Sequence, residues 1–203
     1  MRARRMRILE AFCLHNLGMS HARLGSLDEG IDHQRGAALV ADETNAARLR
    51  VHTRTYEAMF LTLRGNPGDY AAARDLAQTC ASLTRTIPSL AHIPSFLMAR
   101  VHLLKRSPAE ALPSAEAAYA QLALGPVEEW EEYIRLTYVQ VLDALGRTGQ
   151  AAAAIGAAFD ALVAKALRIQ QRRYRASFLT RHDEVRALIE LAQARASRVL
   201  PPM

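Results

Sequence analysis

The 203 residues predict an all-α chain of stacked helical hairpins, an α-solenoid of about four units closed by a capping helix at its carboxyl end. Three observations carry that expectation. Turn-forming pairs recur at Leu24-Gly25, Arg64-Gly65, Lys105-Arg106 and Leu145-Gly146, spaced 40, 41 and 40 residues apart. Small residues, Gly18, Gly30 and Ala37, then Ala99, Ala111 and Ala118, then Ala151 and Ala158, stand where paired helices must approach closely, at the short end of the ~8–10 Å interaxial range. Alternation of period two is nowhere sustained, which excludes a strand-built core. A lone hairpin cannot bury its apolar face, so such units stack on neighbours.

In order, the hairpins are expected at about 3–41, 45–85, 91–122 and 128–164, followed by an extension and capping helix over 165–199, all within one repeat domain of 1–203. In the first, Leu14, Leu17 and Leu24 supply the apolar stripe, and Asp28-Glu29-Gly30 opens the second helix. Tyr70 to Ala73 opens the next second helix, after a turn built by Gly65-Asn66-Pro67-Gly68. Thr86 to Pro94 leads into the third unit, whose second helix begins near Ala109-Glu110-Ala111, with Pro113 expected in its first turn. The fourth unit carries Ile134, Tyr138, Leu142 and Leu145 at helical spacing, and Gln150-Ala151-Ala152 opens its second helix. Glu128, Glu129, Glu131 and Glu132 around Trp130 fall at a helix start, where carboxylates complement the helix dipole; Ca²⁺ ligands would need a turned loop. The last helix, Asp183 to Arg198, places Val185, Leu188, Ile189, Leu191 and Ala192 on one side and Arg186, Glu190, Gln193 and Arg195 mostly on others, which suits a cap with Thr180 or Asp183 at its start. The amino end has no such cap. It is expected to show an apolar face, open to self-association or to packing on another domain.

The first hairpin, with Leu24-Gly25, Gly30 and Ala37, resembles the tetratricopeptide repeat, with His21 in place of the usual aromatic and Gly30 in place of the usual alanine. HEAT and armadillo arrays share a period near ~40 and stand second. The resemblance implies a right-handed solenoid. From Leu124-Gly125-Pro126 through Trp130, Arg135-Leu136, Leu142 to Gly146, then Arg175 to Leu179 and Leu191-Ala192, the chain is also similar to the carboxy-terminal repeat region of large bacterial signalling proteins with kinase, cyclase or ATPase domains. This chain has no such catalytic domain, so the likeness implies a regulatory tail, or a piece of a longer protein.

Motifs for chemistry are absent from the sequence. There is no HExxH, no CxxC and no phosphate loop with a following Lys and Ser/Thr, so no enzyme, metal or cofactor is expected. His182-Asp183 is adjacent on a helix and cannot face itself. Cys13 and Cys80 read as small buried apolar residues. The net charge of +6 is uneven: residues 1–10 carry +3 and 165–203 carry +6, against −3 between them. Basic ends are compatible with nucleic acid, but only Tyr174 interleaves the arginines, so a solvated helix face is the preferred reading. Glu10, His15 and Asn16 interrupt the first apolar stretch, and no window approaches the ~20 apolar residues of a membrane span, which makes a cytoplasmic protein the default.

A solenoid of this kind presents the first helix of each hairpin to a concave groove that receives a peptide or partner helix. The side chains expected there are His15, Asn16, Met19 and Arg23, then Tyr56 and Met59, then Phe96 and Arg100, then Leu136 and Gln140. Without a Lys and Asn pair on the first helix, the groove does not match the repeats that clamp a terminal carboxylate. Arg23 and Arg100 suit a partner that bears some acids.

Overall fold

The computed structural model describes residues 2–125, 127, 129–196 and 200, the side chains of Arg2 and Ala196 excepted. The chain is all-α: ten α-helices and two short 3-10 turns, with no strand among the described residues. It divides into two compact units, Met1–Arg106 and Ser107–Met203. The division separates the two helices of the third predicted hairpin.

The first unit holds α1 (Arg2–Arg23), α2 (Leu27–Glu43), α3 (Ala47–Arg64), α4 (Asp69–Leu83) and α5 (His92–Leu104), with 3-10 turns at Thr84–Thr86 and Pro88–Leu90. Each α-helix packs on the next, and in addition α1 touches α3 and α3 touches α5. The second unit holds α6 (Pro108–Gln121), α7 (Glu131–Ala144), α8 (Thr148–Leu167), α9 (Arg172–Arg181) and α10 (Asp183–Ala196). There α10 packs on both α8 and α7, the relation that α5 bears to α4 and α3.

One turn geometry joins most of these helices. Gly25, Asn45, Gly65, Arg106 and Gly146 end α1, α2, α3, α5 and α7 at φ of 91°, 51°, 70°, 59° and 69°. After Gly25, Asn45 and Gly146 the next N–H donates back five residues, to His21, Ala41 and Leu142, which closes the helix end. The four sequence-predicted turns therefore share one backbone device. A fifth, at Thr44-Asn45, links the first two hairpins.

Close approach is built by the small residues named above. A Cβ on Gly18 would lie 2.7 Å from Gln34 Nε2 and 2.9 Å from the carbonyl oxygen of Gly30. Ala37, Ala99, Ala111, Ala118, Ala151 and Ala158 are all buried. In the second unit, Val185, Leu188 and Ile189 of α10 join Leu136, Ala158, Leu162 and Leu179 in one cluster, while Ala192 joins Val139, Leu142 and Ile155 in another. Arg186, Glu190, Gln193 and Arg195 are exposed, so α10 has the two faces expected of a cap. Ser197 to Val199 at the end of the predicted cap lie outside the described residues.

Several expectations are corrected. Leu17 and Leu24 are exposed, because α1 turns Ala11, His15 and Gly18 toward α2, and these three share the face from which the bulkier leucines are displaced. Cys13 is exposed for the same reason, while Cys80 is buried. Pro113 sits in the second turn of α6 rather than the first, since Pro108 already occupies the helix start. Neither Thr180 nor Asp183 caps α10: Thr180 donates to Ala176 in α9, and the carbonyl of His182 accepts from Arg186. By length and composition α8 is apolar enough to cross a bilayer, contrary to the hydropathy expectation. Its run of alanines accounts for this, and its buried residues Ile155, Phe159 and Leu162 serve the clusters shared with α7 and α10.

Candidate partner-binding site

The positive-φ residue that ends each first helix sets a common register. In that register His15, Thr55, Phe96 and Leu136 are equivalent, and all four are buried, at 7%, 0%, 1% and 6% exposure. His15, Phe96 and Leu136 are therefore core residues and not groove residues. His15 and Phe96 each stand three positions before the small residue of their helix, Gly18 or Ala99, and Leu136 three before the buried Val139, so each shares the face turned to the partner helix. For His15 and Phe96 that spacing was present in the sequence.

Hydrogen bonding fixes His15 in place. Gln34 of α2 is fully buried; its Nε2 donates to the His15 carbonyl at 3.0 Å, and its Oε1 lies 2.8 Å from His15 Nδ1. A backbone carbonyl only accepts, so the amide orientation is set and Nδ1 must carry the proton. The His15 ring meets Tyr56 edge-on at 5.0 Å, and Tyr56 meets Phe60 at 5.9 Å. His15 thus orients Tyr56, which is half-buried on α3.

The second equivalent set is Met19, Met59, Arg100 and Gln140. Met59 is buried at 1%, whereas Met19, Arg100 and Gln140 are partly exposed. Asn16 and Arg23 are exposed. Within the first unit the accessible candidates are Asn16, Met19, Arg23, Tyr56 and Arg100; within the second, Gln140 alone remains of the two proposed. Met59 joins the core because α3 is packed by α1, α2, α4 and α5 together.

The ionic framework around these helices was not read from the sequence. Arg64 at the end of α3 forms a bidentate pair with Asp69 at the start of α4, at 3.0 and 2.8 Å, and also bonds Asp28 of α2. Asp69 accepts a further bond from the Asn66 amide at 2.9 Å. The Arg64 guanidinium and that amide outweigh burial and hold the Asp69 carboxyl below its ordinary value. Burial pushes Asp42 up, but hydrogen bonds from Arg54 and Arg50 of α3 bring it below the usual range. Glu57 of α3 accepts from Arg35 of α2 at 2.8 Å. These pairs join charges 5 to 36 residues apart on successive helices, and no local pattern announces them.

Basic residues at the amino end are partly engaged. Arg4 donates to the Thr44 carbonyl at 2.7 Å, and Arg7 bonds Glu10 and Glu43. Glu131 and Glu132 open α7 and pair with Lys165 of α8, and Glu131 also pairs with Arg135. The helix-start reading of these two acids holds; Glu128 lies outside the described residues. Trp130 precedes them at φ 71° with its ring 5.7 Å from Tyr133. Among the described residues no group of three His, Cys, Asp or Glu could hold a metal ion. Burial pushes the Cys80 thiol up to about 11, which removes it as a nucleophile near neutral pH. The chain matches no protein-family model and no curated protein.

Proposed function

We propose that the chain is a non-catalytic protein-interaction scaffold of tetratricopeptide type, whose first helices receive a peptide or partner helix bearing acidic residues. The observation that carries this reading is the direct packing of α1 on α3 and α3 on α5, in addition to their packing on the helices between. In the register of the helix ends Asn16 is equivalent to Tyr56 and Met19 to Arg100, with Arg23 one turn beyond Met19, which supports a shared groove along these helices. The likeness to the repeat tails of bacterial signalling proteins supports a regulatory, cytoplasmic role. Selection from a random peptide library against the whole chain tests it. Ligands enriched in Asp and Glu that lose binding at least tenfold on Met19→Asp with Arg23→Glu support the reading. Ligands indifferent to both substitutions overturn the groove.

One observation favours a second reading, nucleic-acid binding. Residues 161–182 hold six cations and no acid, and Arg168, Arg172, Arg173 and Arg181 are exposed beside the exposed Tyr174. Arg173 lies 4.6 Å from the Tyr174 ring centroid. Binding to random RNA with a steep salt dependence would establish this reading, and a slope near zero would eliminate it.

A further inference from the structure

The outward face of α1 is open and carries a run of apolar side chains among Arg5, Asn16 and Ser20. Met6, Leu9, Phe12 and Leu17 are exposed on it, from 47% at Leu17 to 61% at Met6, together with Cys13. Leu9, Cys13 and Leu17, spaced four apart, form one ridge along the helix.

In the register set by Gly25 and Gly65, that ridge is equivalent to Leu49, Thr53 and Glu57 of α3, all buried. Their cover comes from α2. Leu49 packs with Val40 and Ala41, and Glu57 pairs with Arg35. In the second unit the same positions are Trp130, just before α7, and Ile134 and Tyr138 of α7; Ile134 is buried, and Tyr138 stacks on Tyr119 of α6 at 4.4 Å. In each case the second helix of one hairpin lies on this ridge of the following first helix. On α1 the ridge stays exposed.

We infer that the Leu9–Cys13–Leu17 ridge of α1 is a docking surface for the second helix of a further helical hairpin. Its occupant is a helix of the α2 type, with Val and Ala opposite Leu9. Opposite Leu17 it carries an apolar residue where α2 carries Arg35, because Leu17 replaces the carboxylate of Glu57. A second copy of α1 suits the ridge less well. The face offers five side chains of a single helix, whereas a stable dimer buries about 800 Å² on each partner. It also lacks the glycines and alanines by which these helices approach one another. The inference depends on hairpin stacking and not on the groove ligand.

The test extends the chain at its amino end with a copy of residues 7–46 joined to Arg7, carrying Cys13→Ser and Arg35→Leu within the copy. This keeps the 40-residue period and presents the copied α2 to α1 in the register of α3. The readout is the rate at which Ellman's reagent modifies the original Cys13, with buried Cys80 as the slow internal reference. A fall of at least tenfold relative to the unextended chain is expected, and Leu9→Glu on the original α1 should restore the fast rate. Unchanged reactivity, whether the added residues fold apart from α1 or do not fold, overturns the inference. Protection of Cys13 in the unextended chain that grows with protein concentration assigns the ridge to a second copy and overturns the choice of occupant.

Discussion

Gly18 shows how little room a helix crossing leaves. The methyl of Gly18→Ala would meet the Gly30 carbonyl oxygen at 2.9 Å, and that atom belongs to backbone. It would also strike Gln34, whose two hydrogen bonds set His15 and, through it, Tyr56. Overpacking of this kind outweighs the helix propensity of alanine, so a net loss of about 1–2 kcal/mol is expected in urea denaturation. Asp69 is the matching case among the charges. Its folded pKa lies below the ordinary 3.8, so the stability it contributes is fully present above that value and disappears as pH falls through the folded value. Asp42 follows the same sign. Asp69→Asn removes a charge-assisted pair and should cost about 1–3 kcal/mol at pH 7, measured by urea midpoint. The gap between variant and parent should shrink below pH 3.8, and a gap of constant size would contradict the ion-pair assignment.

At the scale of elements, helix ends and helix faces obey different rules. The ends follow local chemistry: a glycine or asparagine at positive φ closes α1, α2, α3 and α7, and only Arg106 meets that demand with a side chain that disfavours it. Faces follow the partner. On α1, Ala11, His15 and Gly18, spaced four and three apart, are buried, while Asn16, Leu17 and Ser20 beside Gly18 are exposed. α6 carries its own defect, because Pro113 has no N–H to give the Ala109 carbonyl. Pro113→Ala restores that bond at an exposed position and should raise stability by about 1–2 kcal/mol, a gain that is less than the full helix-interior proline cost because the unfolded chain also gains freedom. Thermal unfolding that is unchanged or lowered by this substitution would show that α6 needs the kink.

For the whole molecule, α10 is the element that completes the second unit. It contributes Val185, Leu188, Ile189 and Ala192 to two clusters and shows charge on the other side. Leu188→Ala leaves a cavity at a residue 1% exposed and should cost about 2–5 kcal/mol. Trp130 is the only tryptophan and belongs to the second unit, so its fluorescence follows that unit alone. The Trp130 transition should move to lower urea in this variant. A Trp130 midpoint equal to that of the parent would mean that α10 is not part of the unit's cooperative core.

Period and punctuation were legible in the sequence. The 40-residue spacing, the turn pairs and the small residues depend on backbone chemistry within a few residues, so they announced the all-α class, the helix order and the capping face of α10 without any knowledge of neighbours. The orientation of each first helix required the tertiary structure. His15, Phe96 and Leu136 looked like groove residues and are core, whereas Leu17 and Cys13 looked like core and are exposed. Helical periodicity defines a stripe but not which of two stripes meets the partner, and on α1 both are apolar enough to qualify. The ion pairs Arg64–Asp69–Asp28 and Arg35–Glu57 lie in the same class, since only packing brings residues on successive helices together. The sequence by itself determined the all-α class and the turns that end the helices; the tertiary structure decided which face of each helix is buried, because burial is a property of what a helix touches.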